Sequence, residues 1–270
     1  MKTKIDILST KNLMVLLLSL SIVITSCNDD NTSDVECFDD FNYDDTTDEG
    51  PASWFNYCTD DGTINECGST TRQSPIDISG VVNDPTLQSL STLYANSITE
   101  IINNGHTLQF NYNGTGTVNF QGSDYSLQQF HFHANSEHTI EGSHKPLEVH
   151  LVHKNDSGHL MVLGIFFEIG AESTFLAQFI DNLPEEINET YLDFDLSYNA
   201  SGLLPANLSY YHYKGSLTTP PCSEIVEWVV MKNALEMSQT QMDQFSGILH
   251  HNFRPVQPLA GRVIGAYDVN

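Results

Sequence analysis

Two short stretches constrain the fold of this 270-residue chain more than anything else in it: "QFHFH" (Gln129 to His133) and "LEVHLV" (Leu147 to Val152). Both place polar, metal-competent side chains at every second position among aromatic and branched residues. In an extended strand, residues i and i+2 share a face, whereas a helix would throw them to opposite sides. The spacing therefore demands strands. Gln129, His131 and His133 point one way, with Phe130 and Phe132 opposite; Glu148, His150 and Val152 share a face, with Val149 and Leu151 behind them. If the two strands pair, at a spacing of about 4.8 Å, three imidazoles converge on one point. Three neutral ring nitrogens about 2.0–2.1 Å from a common centre make a site for Zn(2+) with a fourth position left for water. Gln129 and Glu148 lie on the same faces, where each can accept a ring N–H and fix the tautomer of a neighbouring imidazole. One histidine alone reads as an ordinary buried strand residue; H-x-H followed by E-x-H, all facing one way, does not.

The rest of the chain supplies more strand than helix. "TLQFNYNGTGTVNFQG" (Thr107 to Gly122) shows two alternating runs joined by a Gly-containing turn and reads as a hairpin. "HLMVLGIFFEIG" (His159 to Gly170) is continuously apolar, as expected of a central strand buried on both faces, and "SEIVEWVVM" (Ser223 to Met231) alternates again. Helical spacing is confined to "AESTFLAQFIDNLP" (Ala171 to Pro184) and "SQTQMDQFSGIL" (Ser238 to Leu249). In the second, Ser238 is the candidate N-cap, and Met242, Phe245 and Leu249 form one face. The fold class is mainly β: a large, mostly antiparallel, twisted central sheet with short peripheral helices.

The N-terminus has a different logic. Lys2, Lys4 and Lys11 precede an apolar run, "LMVLLLSLSIVI" (Leu13 to Ile24), with the layout of an export signal and too short to span a bilayer comfortably. The run ends in "ITSC", similar to a lipobox, which makes residues 1–26 a lipoprotein signal peptide and Cys27 the lipidation site. The protein is then exported and anchored to the cell envelope, on the periplasmic side or at the cell surface. Residues 27–40, rich in Asp, Glu, Asn and Thr, read as an acidic flexible tether, and residues 41–270 as one domain without internal repeats. Beyond Cys27 four cysteines remain, Cys37, Cys58, Cys67 and Cys222, an even set that suits a disulfide framework and allows three pairings. The formal net charge of −25 excludes nucleic acid as a partner, because a phosphate-binding face needs clustered Lys and Arg. No HExxH motif is present, which leaves the usual helical metalloprotease site without its ligands.

From about Phe41 to Val269 the chain resembles the α-class carbonic anhydrases, bacterial exported forms included. The resemblance rests on eight motifs in order: "RQSPIDI" (Arg72 to Ile78), "NNGHTLQF" (Asn103 to Phe110), "QFHFH", "SEHT" (Ser136 to Thr139), "LEVHLVH" (Leu147 to His153), "LGIFFEIG" (Leu163 to Gly170), "YKGSLTTPPCSE" (Tyr213 to Glu224) and "NFRPVQPL" (Asn252 to Leu259). It implies zinc-dependent, reversible hydration of carbon dioxide to bicarbonate and a proton, by attack of zinc-bound hydroxide. The zinc ligands are then His131, His133 and His150, with Gln129, Glu148 and the backbone of Asn252 as their hydrogen-bond partners. Thr218 is implied as the residue that accepts a hydrogen bond from the hydroxide, its own hydroxyl hydrogen committed to Glu137.

The resemblance also implies that Val152, Val162, Leu217, Thr219 and Trp228 line the substrate pocket. It makes His106 the proton shuttle, with Tyr43, Asn104 and Gln109 along the water path. It pairs Cys67 with Cys222 and, with that, Cys37 with Cys58. Three features depart from the family pattern. Phe41 replaces the usual Trp ahead of Tyr43. Ala134 stands where a Trp commonly follows the second ligand, which implies different packing beneath the metal. "YCTDDGTINECGS" (Tyr57 to Ser69) fits poorly and receives no role. The resemblance leaves the oligomeric state open, with a dimer one option. The alternative reading is a non-catalytic surface receptor or adhesin on the same scaffold, against which stand the intact ligand set, Thr218 and Glu137.

Overall fold

The computed structural model describes residues 37–59 and 62–269. The expected signal peptide, the expected lipidation site Cys27 and the expected tether as far as residue 36 lie outside the described residues. The alternating segments become strands β1 (Asn96–Asn103), β2 (Leu108–Asn111), β3 (Gly116–Phe120), β4 (Ser123–His133), β5 (Leu147–Lys154), β6 (Leu160–Ile169), β7 (Thr190–Asn199), β8 (Tyr210–Gly215), β9 (Val226–Met231) and β10 (Gly265–Tyr267). With three shorter strands they build a 13-stranded sheet whose main path runs β7-β1-β2-β4-β5-β6-β9-β8-β10 and ends on Val82–Asn83. Most neighbours are antiparallel; β6 runs parallel to β9 and to Leu235–Met237, and β10 to Val82–Asn83.

Strand alternation sorts the apolar side chains into two cores, one on each face of the sheet. Behind it, Phe110, Phe130, Phe132, Leu151, Leu163 and Val229 join one large cluster that also takes in Phe179, Tyr198 and Phe245. In front, Val162, Phe166, Val226, Trp228 and Val230 form a second cluster with Ile76, Ile78 and Tyr213. Phe130 and Phe132 are fully buried, each worth about 2–3 kcal/mol of apolar transfer. This is why β4 cannot slip by one residue: the shift would carry both rings forward and the histidines into the rear core.

Two expected elements differ. The runs joined at Gly114 are both strands, yet they do not pair as a hairpin. β2 lies against β1 and the far half of β4, while β3 lies against Ser91–Tyr94 and the near half of β4. The 11 residues of β4 are long enough to carry both end to end. Tyr112 fills the bend between them, its hydroxyl donating to the carbonyls of Ala95 and Thr115. The hairpin partner of β3 is β4 itself, through Gln121 and Gly122, both with positive φ. The second difference is Ala171 to Pro184, expected as a helix, which forms only two single 3-10 turns, Leu176–Gln178 and Ile180–Asn182. Phe175, Leu176 and Phe179 are nonetheless buried, so the apolar spacing reports packing and not helix length.

The other helix stands as read. α1 (Gln239–Leu249) starts at Ser238 with a capping box: Ser238 Oγ accepts the Gln241 N–H, and the Gln241 side chain accepts the Ser238 N–H. After it, His250 and His251 both adopt left-handed backbone angles, and the chain turns back to lay Asn252 beneath the end of β4.

Candidate metal centre

β4 and β5 pair antiparallel with His131 opposite His150 and Glu148 opposite His133, so the three imidazoles share the front face at adjoining rungs. Their ligand atoms lie within 4.8 Å of one another. Each ring is held from its far side. His131 Nδ1 donates to Gln129 Oε1 at 2.9 Å, and His133 Nδ1 donates to the Asn252 carbonyl at 2.7 Å. His150 Nε2 lies 2.9 Å from Glu148 Oε1, close but too far out of line for a directed hydrogen bond. These contacts leave Nε2 of His131, Nε2 of His133 and Nδ1 of His150 turned to the common centre. Burial pushes His131 well below the ordinary histidine range, helped by the other two rings, and also lowers His133. Both imidazoles are thus neutral, the form in which a ring nitrogen offers its lone pair to a metal. His133 Nε2 is buried without a hydrogen-bond partner, as a nitrogen reserved for a metal has to be.

Glu148 does more than its spacing indicates. Its Oε2 accepts the backbone N–H groups of Glu137 and His138, each at 2.9 Å, and its Oε1 accepts His138 Nδ1–H at 2.8 Å. Burial opposes the charge, but His138 and His150 hold the Glu148 carboxyl well below the usual carboxylate range. His138 Nε2 in turn meets the Tyr213 hydroxyl at 2.7 Å, and that hydroxyl reaches Ser74 Oγ at 3.0 Å. Gly164, opposite His150 on β6, leaves room for the carboxylate: a Cβ there would sit 2.8 Å from Glu148 Oε1. Sequence reading passed over His138, Tyr213 and Gly164, although all three lie within motifs it quoted. Their roles depend on side chains 10 to 75 residues away.

Glu137 is fully buried beside the centre. Its Oε1 accepts the Arg254 N–H at 2.9 Å, and its Oε2 lies 3.6 Å from His133 Nε2 with no hydrogen-bond partner. The hydrogen bond expected from Thr218 is not formed. The carboxylate divides between the Arg254 amide and the paired imidazoles, and Thr218, itself buried, is left unbonded to it. Val152 faces Val162, and Val162 faces Trp228, in one apolar row across β5, β6 and β9. Leu217 packs against the same cluster, and the Trp228 ring lies 4.8 Å from that of His150. Trp228 Nε1 donates to the Ser216 carbonyl at 2.9 Å, which fixes the ring beneath the loop carrying Thr218 and Thr219.

A cavity of about 450 Å³ is lined among others by Phe41, Tyr43, His106, His250, His251 and Asn252, and adjoins the three histidines through Asn252, whose carbonyl accepts the His133 Nδ1–H. It brings Tyr43 and His106 together. Asn104 is not in its wall; its side-chain oxygen accepts the N–H groups of His106 and Thr107 and so shapes the turn that presents His106. Gln109 sits beside His131 on β2 and donates to Asn111 Oδ1. Burial lowers the pKa of His106, and Asp40 draws it partly back up. Burial also raises Tyr43 well above the ordinary tyrosine range, with Glu137 adding to the effect.

Both disulfides are present, Cys37–Cys58 and Cys67–Cys222, the latter closing 155 residues. Residues 62–69, to which the sequence assigned no role, brace the loop after Thr219. Glu66 N–H donates to the Pro221 carbonyl, Glu66 Oε2 accepts the Glu224 N–H, and Ser69 and Thr71 donate to the Glu224 carboxylate. Those hydroxyls outweigh burial and hold Glu224 at about 2.

A front-facing three-histidine centre on a large, mostly antiparallel sheet defines a β-rich metalloenzyme scaffold. The sequence matches the family described as "Eukaryotic-type carbonic anhydrase" over residues 49–268, and the chain belongs to that family. A carbonic anhydrase of Klebsiella pneumoniae is 42% identical over 210 residues, covering 75% of this chain and 85% of that protein. Human "Carbonic anhydrase 7" is 36% identical over 257 residues, 81% of this chain and 94% of that protein. The solved α-carbonic anhydrase of Thermovibrio ammonificans, in complex with the inhibitor sulfanilamide, superposes with a TM-score of 0.79 at 38% identity, covering 84% of this chain and 99% of the other.

Proposed function

We propose that this protein catalyses the reversible hydration of carbon dioxide to bicarbonate and a proton, with Zn(2+) held by His131, His133 and His150. The carrying observation is the set of three imidazoles whose other ring nitrogens are each engaged or approached from behind, by Gln129, Asn252 and Glu148. A neutral N₃ donor set suits zinc and keeps its full double charge, and zinc so held makes water ionise near neutral pH, a property for which carbonic anhydrases are the standard example. The chain's own groups do the rest. The dry row of Val152, Val162, Leu217 and Trp228 collects a small nonpolar substrate beside His150, with Thr219 at its polar margin. Glu137 Oε2 is a buried acceptor without a donor, and when water enters the centre the Thr218 hydroxyl turns its hydrogen to that oxygen, which fixes Thr218 as an acceptor toward the attacking water. The oxygen of that water adds to the carbon of the substrate, and the proton it loses leaves by way of His106, past Tyr43, Asn104 and Gln109.

We also propose that the protein is exported and tethered to the envelope through lipid on Cys27. No described helix is long and apolar enough to cross a membrane. Stopped-flow hydration with and without a chelator, beside metal analysis of the unaltered protein and of His131→Ala, tests the activity. The variant is expected to lose zinc and activity together. A zinc-free wild-type protein, or full activity in the variant, overturns the proposal. Mass spectrometry of the mature N-terminus tests the anchor; an unmodified Cys27 refutes it.

A further inference from the structure

The leader ahead of the catalytic domain is fastened to it. Cys37 is bonded to Cys58, Phe38 bridges Tyr57, and the Cys58 N–H donates to the Phe38 carbonyl. This clasp delivers the next two residues to His106. The Phe41 ring stacks on the His106 imidazole, with centroids 3.9 Å apart and planes 8° from parallel. Asp40 Oδ1 accepts the Phe41 N–H at 2.8 Å and, with its rotamer so fixed, lies 3.4 Å from His106 Nε2. From below, Asn252 Nδ2 donates to the His106 carbonyl at 2.9 Å. The imidazole is therefore held by its face, its outer nitrogen and its backbone at once. Asp40 itself is 84% exposed, so the outer nitrogen points along a carboxylate into solvent.

We infer that Asp40, presented by the Cys37–Cys58 clasp, is a positioning residue for the proton shuttle: it orients His106 with Nε2 toward bulk water and stabilises the imidazolium while the proton is in transit. The inference rests on the proposed reading of His106 as shuttle. In one cycle His106 gains a proton at Nδ1 from the cavity side and releases the one on Nε2 beside Asp40, so no net charge remains on the protein. The other titratable groups facing His106 are Tyr43 and Asp44 from the leader and His250 and His251 from the segment after α1.

The test is Asp40→Asn in the full oxidised protein, with His106→Ala as reference. His106 is titrated by NMR at low and high salt, and kcat and kcat/KM for hydration are measured in weak buffer. Asp40→Asn is expected to lower the His106 pKa by about half a unit to one unit at low salt and by less at high salt, since an exposed pair is screened. It should lower kcat severalfold near neutral pH with kcat/KM unchanged, and added imidazole should restore kcat. An identical His106 titration in both proteins overturns the inference, as does a parallel fall in kcat/KM, which marks a general structural effect. If the unaltered protein lacks hydration activity, the functional reading fails, and the NMR titration still decides whether Asp40 governs His106.

Discussion

At the scale of single residues, position within the strand matters more than residue type. His131, His133 and His150 form a candidate metal centre because they share the front face, whereas His153, three residues after His150, faces the rear core and bonds to Tyr94 and the Leu151 carbonyl instead. Gly164 shows how tightly the supporting groups are set. Gly164→Ala drives a methyl group into Glu148 Oε1, so it is expected to weaken zinc affinity about 10- to 100-fold in competitive chelator titrations, with the fold retained. Unchanged affinity would mean that Glu148 can relax without disturbing His150. The convergence of the three histidines and the placing of Gln129 and Glu148 beside them could be read from i, i+2 spacing. Glu148's grip on the 137–138 turn could not, because a carboxylate accepting two backbone N–H groups leaves no periodic trace.

At the scale of elements, the loop that carries Thr218 has no ladder of its own and depends on its braces. The Cys67–Cys222 bond, the Glu66 contacts and the Glu224 carboxylate tie it to residues 62–73. Cys67→Ser with Cys222→Ser is expected to cost about 2–4 kcal/mol in urea unfolding. It should also reduce kcat/KM for hydration while leaving zinc content intact. A loss of stability with kcat/KM preserved would show that Glu224 and Glu66 suffice to hold Thr218. The hairpin reading failed at this scale for a related reason. Alternation identifies a strand and its faces, but its partner is chosen by which longer strand can be covered, and β4 covers two. Likewise Ala171 to Pro184 has helical spacing and buried rings without a helix, since the packing of Phe175 and Phe179 is satisfied by two short turns.

At the scale of the whole molecule, acid sensitivity follows from the histidines buried on both faces. Burial lowers His153 to about 4, below the ordinary histidine value of about 6.5. The unfolded chain therefore takes up a proton that the folded protein refuses. The stabilisation is present in full above about pH 6.5 and is lost as pH falls toward about 4, by up to about 3 kcal/mol. Urea midpoints between pH 7 and pH 4.5 check this: His153→Asn is expected to show a shallower pH dependence than the unaltered protein, and identical slopes would refute it. By itself the sequence determined the strands, their faces, the three histidines that share the front face and the family, because a period of two and a short-range polar pattern survive in one dimension. Tertiary structure alone decided which strands adjoin, that His138, Tyr213 and Ser74 continue the support behind Glu148, and that a disulfide-clasped leader reaches His106. Those contacts join residues distant along the chain, and only the assembled sheet with its two packed faces brings them within hydrogen-bond range.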